Sequence, residues 1–260
     1  MMISVTNETI ASIPALHVVQ EELRHEPLPT VFFLHGFTSA KEHNLHHAYL
    51  LAQKRIRVIL PEALYHGERA AFEDEQKLQL SFWEIVLRSI EELPQMKHFV
   101  VENGWTASDV IGVTGTSMGA ITMFGALKKY PWIRAGASLM GSAFYQHFAK
   151  KQIEFLEERG VTLANEIKED TLVKLKEVDL GEEIDALNNR PLYLWHGERD
   201  NVVPFAYSQQ LNEQLQQRNY EQVVFTSDPR GDHKVSRAAL LESVDWMARQ
   251  LMPTTTSVRT

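Results

Sequence analysis

The stretch IGVTGTSMGAITMF (residues 111–124) decides how the rest of the chain is read. It runs apolar up to Gly115-Thr116-Ser117-Met118-Gly119 and continues with helical spacing. A serine with a glycine two residues before it and another two after it, between a predicted strand and a predicted helix, has a demanding explanation. The turn is so tight that bulk at Gly115 or Gly119 would collide with neighbouring backbone. Glycine there permits the strained conformation that pushes the serine hydroxyl into the open. The helix N-terminus beneath it favours developing negative charge. The plainer explanation is a glycine-rich turn without chemistry, and the flanking chain decides between the two.

Short apolar runs alternate with amphipathic ones on both sides of Ser117. MISVTNETI and IPALHVVQEE alternate and carry β-branched residues, which predicts an antiparallel pair at a sheet edge. PLPTVFFLHGF holds a compact run, Val31 to Leu34, that ends at His35-Gly36. RIRVILPEA (55–63), PLYLWHG (191–197) and QVVFTS (222–227) are further predicted strands, and RAGASLMGSA (134–143) is a strand of small residues. Helices are predicted over EHNLHHAYLLAQK (42–54), SFWEIVLRSIEEL (81–93), MGAITMFGALKKY (118–130) and RAALLESVDWMARQLM (237–252). Pro94 is expected to kink or interrupt the second of these, with Asn103-Gly104 as a stop. The tail PTTTSVRT is polar and reads as loose.

Strands buried on both faces give continuous apolar runs. The expected fold class is therefore α/β, a mostly parallel sheet of about eight strands with helices on both faces. One segment breaks the rhythm. Residues 144–190 are charged and helical in pattern, and stand between two strands that should be neighbours. They predict a small helical cap insertion of roughly 45 residues, longer than an ordinary connection, within a single domain spanning 1–260.

The 260 residues are 44% hydrophobic, enough for one sizeable core. The formal net charge of −8 repels phosphate backbones and anionic lipid, so no nucleic acid and no membrane partner is expected. The absence of cysteine excludes a disulfide framework, a thiolate metal site and a cysteine nucleophile. The N-terminal stretch lacks a basic run and carries Glu8, and no segment approaches about 18 uninterrupted apolar residues. A soluble, cytoplasmic protein is the expectation, with a homodimer as the assembly to look for.

A serine nucleophile needs a base, and the base needs an orienting acid. WHGERDNVVP (195–204) leaves a predicted strand, and Asp200 opens the turn that follows. Its plainer role is to cap the helix starting near Pro204, and Glu198, closer to the strand, is its rival. SDPRGDHKV places His233 between the last predicted strand and the closing helix, and no other histidine follows Asp200. Asp232 adjoins His233 and is poorly placed to orient it. The order Ser117, Asp200, His233 is complete without a choice among histidines.

FFLHGF, GTSMGA, WHGERDNVVP and GDHKV, in this order and on these elements, resemble an α/β-hydrolase. The pattern looks like small bacterial esterases near the dienelactone-hydrolase and prolyl-oligopeptidase-like branches, over about residues 28 to 250. The resemblance implies the α/β-hydrolase fold and a triad of Ser117, Asp200 and His233. It also implies an oxyanion hole from the backbone N–H of Met118 and of a residue after His35-Gly36, with Phe37 or Thr38 as the second donor. The Phe37 side chain either lines an acyl pocket or packs in the core. The expected activity is ester hydrolysis through an acyl-enzyme, on a small-molecule acyl ester and without a cofactor. Thioester or peptide cleavage by the same residues, and a non-catalytic binding module, are the alternatives.

Histidine-glycine pairs stand at 35–36, 66–67 and 196–197, each just beyond a predicted strand. His35 and His196 read as loop-fixing residues, and His66 falls near the expected mouth of the site. His35, His66 and Phe144 are the candidate substrate contacts, with Glu68 and Arg69 as solvated charges beside them. Apolar cap positions Phe144, Tyr145, Phe148, Ile153 and Phe155 either form an acyl pocket or pack the cap on the body. His43 and His47 stand four apart, with His46 adjacent, at a spacing that can bind zinc. The HExxH order is missing and no further ligand is evident, so no metal is expected.

Overall fold

The computed structural model describes residues 1–71, 74–106 and 110–252. The tail read as loose, from residue 253 onward, lies outside them. The chain opens with the antiparallel hairpin β1 (Ile3–Ile10) and β2 (Ile13–Gln20). Then follow β3 (Thr30–Leu34), α1 (Leu45–Gln53), β4 (Arg57–Pro61), α2 (Glu75–Leu80) and α3 (Phe82–Glu102). The second half holds β5 (Ile111–Thr116), α4 (Met118–Lys129), β6 (Ala135–Leu139), α5 (Tyr145–Glu158) and α6 (Asn165–Lys176). It closes with β7 (Leu192–Gly197), α7 (Ala206–Gln217), β8 (Val223–Asp228) and α8 (Arg237–Leu251).

Eight strands form one sheet in the order β1-β2-β4-β3-β5-β6-β7-β8. The pairs β1·β2 and β2·β4 are antiparallel and every other pair is parallel, as expected from the buried apolar runs. Successive side chains of a strand point to opposite faces. In β3, Val31 and Phe33 join the layer under α1 and α8, with Val58, Tyr193 and Trp246. Phe32 and Leu34 join the larger layer under α3, α4, α5 and α7, with Ile121, Phe124 and Leu211. Because β3 to β8 run parallel, the loops leaving their C-terminal ends gather along one edge of the sheet, where open α/β sheets place their sites.

Pro94 does not interrupt α3, which runs unbroken from Phe82 to Glu102. A proline inside a helix costs about 3 kcal/mol. Val86, Ile90 and Leu93 before it and Met96 and Val100 after it are all buried. Each such side chain contributes roughly 1.5–3 kcal/mol by burial, so the packed face outweighs the lost hydrogen bond. The stop at Asn103-Gly104 is where the helix ends, with Gly104 at φ 67.

Residues 144–190 form α5, α6 and two short 3-10 turns, Leu180–Glu182 and Ile184–Leu187. Their buried residues do not make a separate core. Phe144, Tyr145, Phe148, Leu175, Val178, Leu180, Ile184 and Leu187 belong to the same cluster as the α3 and α4 residues. The Tyr145 hydroxyl accepts the Gly125 N–H at 2.7 Å and donates to the Ile121 carbonyl, which ties α5 to α4.

Candidate active site

Ser117 sits between β5 and α4 at φ 52, ψ −115, a conformation that L-residues rarely adopt. The two glycines around it are required by contact distances. A Cβ on Gly115 would lie 2.3 Å from the backbone of Gly119, and one on Gly119 would lie 2.0 Å from the Leu34 carbonyl oxygen. The Ser117 N–H donates to the Leu139 carbonyl at 2.9 Å, which ties the turn to the neighbouring strand. Ser117 is the N-cap residue of α4, yet its side chain makes no capping bond. Its hydroxyl is turned to His233 instead.

His233 Nε2 lies 2.9 Å from Ser117 Oγ, and His233 Nδ1 lies 2.6 Å from Asp200 Oδ2. The sequence-predicted serine, acid and histidine are therefore brought together across 116 residues of chain. Asp200 Oδ1 meanwhile accepts the Val202 and Val203 N–H groups at 2.9 and 3.0 Å. The turn-capping role and the histidine contact thus use different oxygens of one carboxylate. Glu198 is exposed and accepts the Ser227 hydroxyl at 2.7 Å.

His196 is a second neighbour of the same acid. It is fully buried, with Nε2 2.8 Å from the Val203 carbonyl and 3.2 Å from Asp200 Oδ2. The carbonyl can only accept, so Nε2 carries the proton and Nδ1 accepts the Ser208 hydroxyl at 2.7 Å. Burial pushes the Asp200 carboxyl up. Hydrogen bonds from His196, His233 and the Val202 N–H outweigh it and hold the group well below the usual carboxylate range.

The loop after β3 carries the two amides considered for an oxyanion. Thr38 N–H is already donated to His66 Nε2 at 3.0 Å. Among the described residues no protein acceptor takes the Phe37 N–H. The Phe37 ring is half-buried and meets the rings of His66 and Phe82 edge-on, at 5.6 and 5.5 Å between centroids.

His35 and His66 are both buried, and their ring nitrogens are engaged by protein groups. His35 Nδ1 donates to the Gly36 carbonyl at 2.8 Å and its Nε2 accepts the Ala63 N–H at 3.0 Å. His66 Nδ1 donates to the Leu64 carbonyl at 2.8 Å, leaving Nε2 as the acceptor for Thr38. Burial lowers the His66 imidazole below its ordinary value and so favours this neutral form. The geometry places both histidines in the loop scaffold. Phe144, the third candidate contact, is 5% exposed and stacks on Tyr207 at 6.2 Å. Of the other apolar positions in 144–190, Ile153 is half-buried and Phe155 is exposed beneath the Arg159 guanidinium.

Behind the same loop lies a buried ion pair. Lys41 Nζ donates to Glu62 Oε2 at 3.2 Å and to Glu68 Oε1 at 2.6 Å, and Lys41 N–H donates to Glu62 Oε1 at 3.2 Å. Burial pushes the Glu62 carboxyl up, while the Lys41 ammonium and the Lys41 backbone N–H hold it down. Arg69 closes the far side with a two-pronged bond to Glu92, at 2.9 and 2.8 Å. Nothing local in the sequence marks the Lys41–Glu62 pair. The His196–Asp200 contact did have a signal, the four-residue spacing in HGERD.

The histidines weighed for zinc are split. His43 is exposed and lies 3.0 Å from Ser39 Oγ through its Nδ1, whereas His47 is buried against the Phe33 ring. They do not share an open helix face, because residues 41–44 form a 3-10 turn that precedes α1.

The profile of the prolyl oligopeptidase family matches residues 88–253. "Putative esterase YitV" of Bacillus subtilis (strain 168) is 45% identical over 255 residues, covering 96% of this chain and 100% of the relative. "Esterase YjfP" of Escherichia coli (strain K12) is 33% identical over 251 residues, again covering 96% of this chain and 100% of the relative. The crystal structure of TT1662 from Thermus thermophilus shares the fold, with a TM-score of 0.77 at 18% identity over 97% of this chain and 100% of that one.

Proposed function

We propose that this member of the prolyl oligopeptidase family, a carboxylic ester hydrolase related to proteins named as esterases, cleaves the ester through an acyl-enzyme formed on Ser117. The observation that carries this reading is His233, whose two ring nitrogens reach Ser117 Oγ and Asp200 Oδ2 at 2.9 and 2.6 Å. A ring bonded on both sides in this way has one working tautomer. Its Nδ1 donates to the carboxylate, so its Nε2 is free to take the serine proton.

In the first half-reaction Ser117 Oγ attacks the ester carbonyl as His233 Nε2 takes its proton. The carbonyl oxygen becomes an oxyanion, stabilised by the N–H groups of Met118 and Phe37, each donor worth roughly 3–4 kcal/mol of barrier. The C–O bond to the alcohol breaks, and His233 returns the proton to the leaving oxygen. In the second half-reaction water attacks the acyl-serine as His233 takes its proton, the acyl–Oγ bond breaks with return of that proton from His233 to Ser117 Oγ, and the acid is released. Asp200 stays ionised throughout and balances the transient imidazolium.

Residues 144–190 are read as the cap over this site, and Phe144 as a wall of the acyl pocket. No helix among the described residues is long and apolar enough to cross a membrane. The family name favours peptide bonds as a second class of substrate for the same residues.

The test is hydrolysis of p-nitrophenyl esters from acetate to palmitate by wild type and Ser117→Ala, with p-nitroanilide peptides alongside. A loss of at least roughly a thousandfold in the variant supports the reading. Retained ester cleavage in Ser117→Ala overturns it, and faster anilide than ester cleavage moves the substrate class to peptides.

A further inference from the structure

The segment from Glu62 to Glu68 lies against the segment from His35 to Lys41 and is bonded to it along its length. Ala63 N–H meets His35 Nε2 at one end, and Glu62 and Glu68 hold Lys41 at the other. Between them, Thr38 N–H donates to His66 Nε2 at 3.0 Å. Thr38 has φ 58, where a β-branched residue is a genuine outlier. The peptide joining Phe37 and Thr38 is pinned on both sides. Its N–H is held by His66, and its carbonyl accepts the Thr38 hydroxyl at 2.7 Å. The Phe37 N–H belongs to the preceding planar peptide, whose Gly36 carbonyl accepts His35 Nδ1 at 2.8 Å and the Ser39 N–H at 3.2 Å; with the Phe37–Thr38 peptide held by His66, the two planes meet at Phe37 Cα and set the direction of its N–H.

We propose that His66 is a positioning residue for ester cleavage: without touching substrate, its Nε2 holds the Phe37–Thr38 peptide in the left-handed turn and so presents the Phe37 N–H to the oxyanion. The proposal rests on the reading of Phe37 N–H as an oxyanion donor. It also explains why Thr38 is not that donor, since its amide hydrogen is already spent on His66. The His66–Leu64 bond has a role of its own here. By holding the proton on Nδ1 it keeps Nε2 an acceptor, and a proton on Nε2 would face the Thr38 N–H head-on.

Two substitutions separate the two ring nitrogens. His66→Asn retains an amide N–H where Nδ1 stands, able to reach Leu64, and removes the acceptor for Thr38. His66→Gln retains an amide oxygen where Nε2 stands and removes the other bond. Both are compared with wild type and Ser117→Ala on p-nitrophenyl butyrate, with thermal unfolding measured alongside. Inhibition by an alkyl trifluoromethyl ketone, which binds a serine as a tetrahedral oxyanion, is the second readout.

The expected result for His66→Asn is a kcat lower by about 10²–10³-fold with KM within about twofold, the pattern of a contact made only in the transition state. Ketone affinity should weaken by a comparable factor. His66→Gln should recover at least about tenfold of the kcat loss. The proposal is overturned if His66→Asn keeps kcat within about threefold of wild type. It also falls if KM rises while kcat holds, or if Gln rescues no better than Asn. Activity in Ser117→Ala would overturn the acyl-enzyme reading as well. An inactive Ser117→Ala beside a fully active His66→Asn overturns the positioning role alone.

Discussion

His196 and Asp200 meet on an oxygen that His233 also uses. Asp200 Oδ2 lies 3.2 Å from His196 Nε2 and 2.6 Å from His233 Nδ1, while Oδ1 is fully occupied by two backbone N–H groups. The carboxylate therefore has no free rotation, and His196 is one of the groups that fix it. A hydrogen bond to a charged group contributes about 1.5–3 kcal/mol. His196→Ala is expected to lower kcat/KM by about ten- to a hundredfold, as measured on a p-nitrophenyl ester. An unchanged kcat/KM in a folded variant would show that Asp200 is held well enough without it.

Asp200→Asn should keep the fold and lose the chemistry. The remaining amide oxygen can still accept the Val202 and Val203 N–H groups. The amide nitrogen, facing His233 Nδ1, turns that nitrogen into an acceptor and moves the proton to Nε2, where it blocks transfer from Ser117. A kcat loss of roughly 10³–10⁴-fold is expected, with a lower unfolding midpoint as well, because the amide N–H also meets the protonated His196 Nε2. A loss below about tenfold would exclude Asp200 as the orienting acid.

Acid sensitivity should begin near neutrality. His47 is buried with neither ring nitrogen hydrogen-bonded among the described residues, and burial, then the neighbouring His46, brings it from 6.5 to about 3. His17, stacked on Trp105, is likewise brought to about 3, by burial first and then by the Arg57 guanidinium. Depressed folded values mean that the unfolded chain takes up these protons first. The stability each residue contributes is complete above pH 6.5 and lost as the pH falls from there toward 3, at up to about 1.4 kcal/mol per pH unit each. His47→Phe should flatten the fall of the urea midpoint between pH 6.5 and 4 and raise stability at pH 7. A slope equal to that of wild type would place the acid sensitivity elsewhere.

Two glycine-to-alanine changes should differ sharply. Gly119→Ala sets a methyl 2.0 Å from the Leu34 carbonyl oxygen, whereas Gly104→Ala, at φ 67, meets nothing within 4 Å. The second change carries only the left-handed backbone penalty, about 1 kcal/mol. The first must part β3 from α4, at about 3 kcal/mol or more. Urea unfolding of the two variants checks the order, and equal losses would refute it.

Much of this is legible in the sequence because it is local. GTSMG, HGERD and GDH each stand where an apolar run stops, so strand ends and candidate site residues mark one another. The order β1-β2 at the edge and the parallel remainder follow from alternating against continuous apolar runs. What is not legible is what depends on two loops meeting. Thr38 is neither glycine nor asparagine, so nothing announces its positive φ. The acceptors that hold the loop, His66 for Thr38 and Glu62 for Lys41, lie 28 and 21 residues away in the chain. Pro94 misleads for the opposite reason, because a strong local rule yields to the burial of residues on both sides of it. In 144–190 the charge pattern reveals the outer surface, while the sinking of Tyr145 and Phe148 into the main core has no signature beyond their being apolar.

That shared core gives the 144–190 segment an asymmetry. α5 is bolted down by Tyr145, Phe148 and Ala149, whereas α6 buries only Leu175, near its C-terminal end. The chain between them turns at Gly160, at φ 81, with open space around it. A protease should find its cut there, and the two pieces should not part. Each retains its own grip on the same interior, Tyr145 and Phe148 on one side of the nick and Val178, Leu180 and Ile184 on the other. A broken backbone at this bend would leave a two-chain protein that still travels as one body.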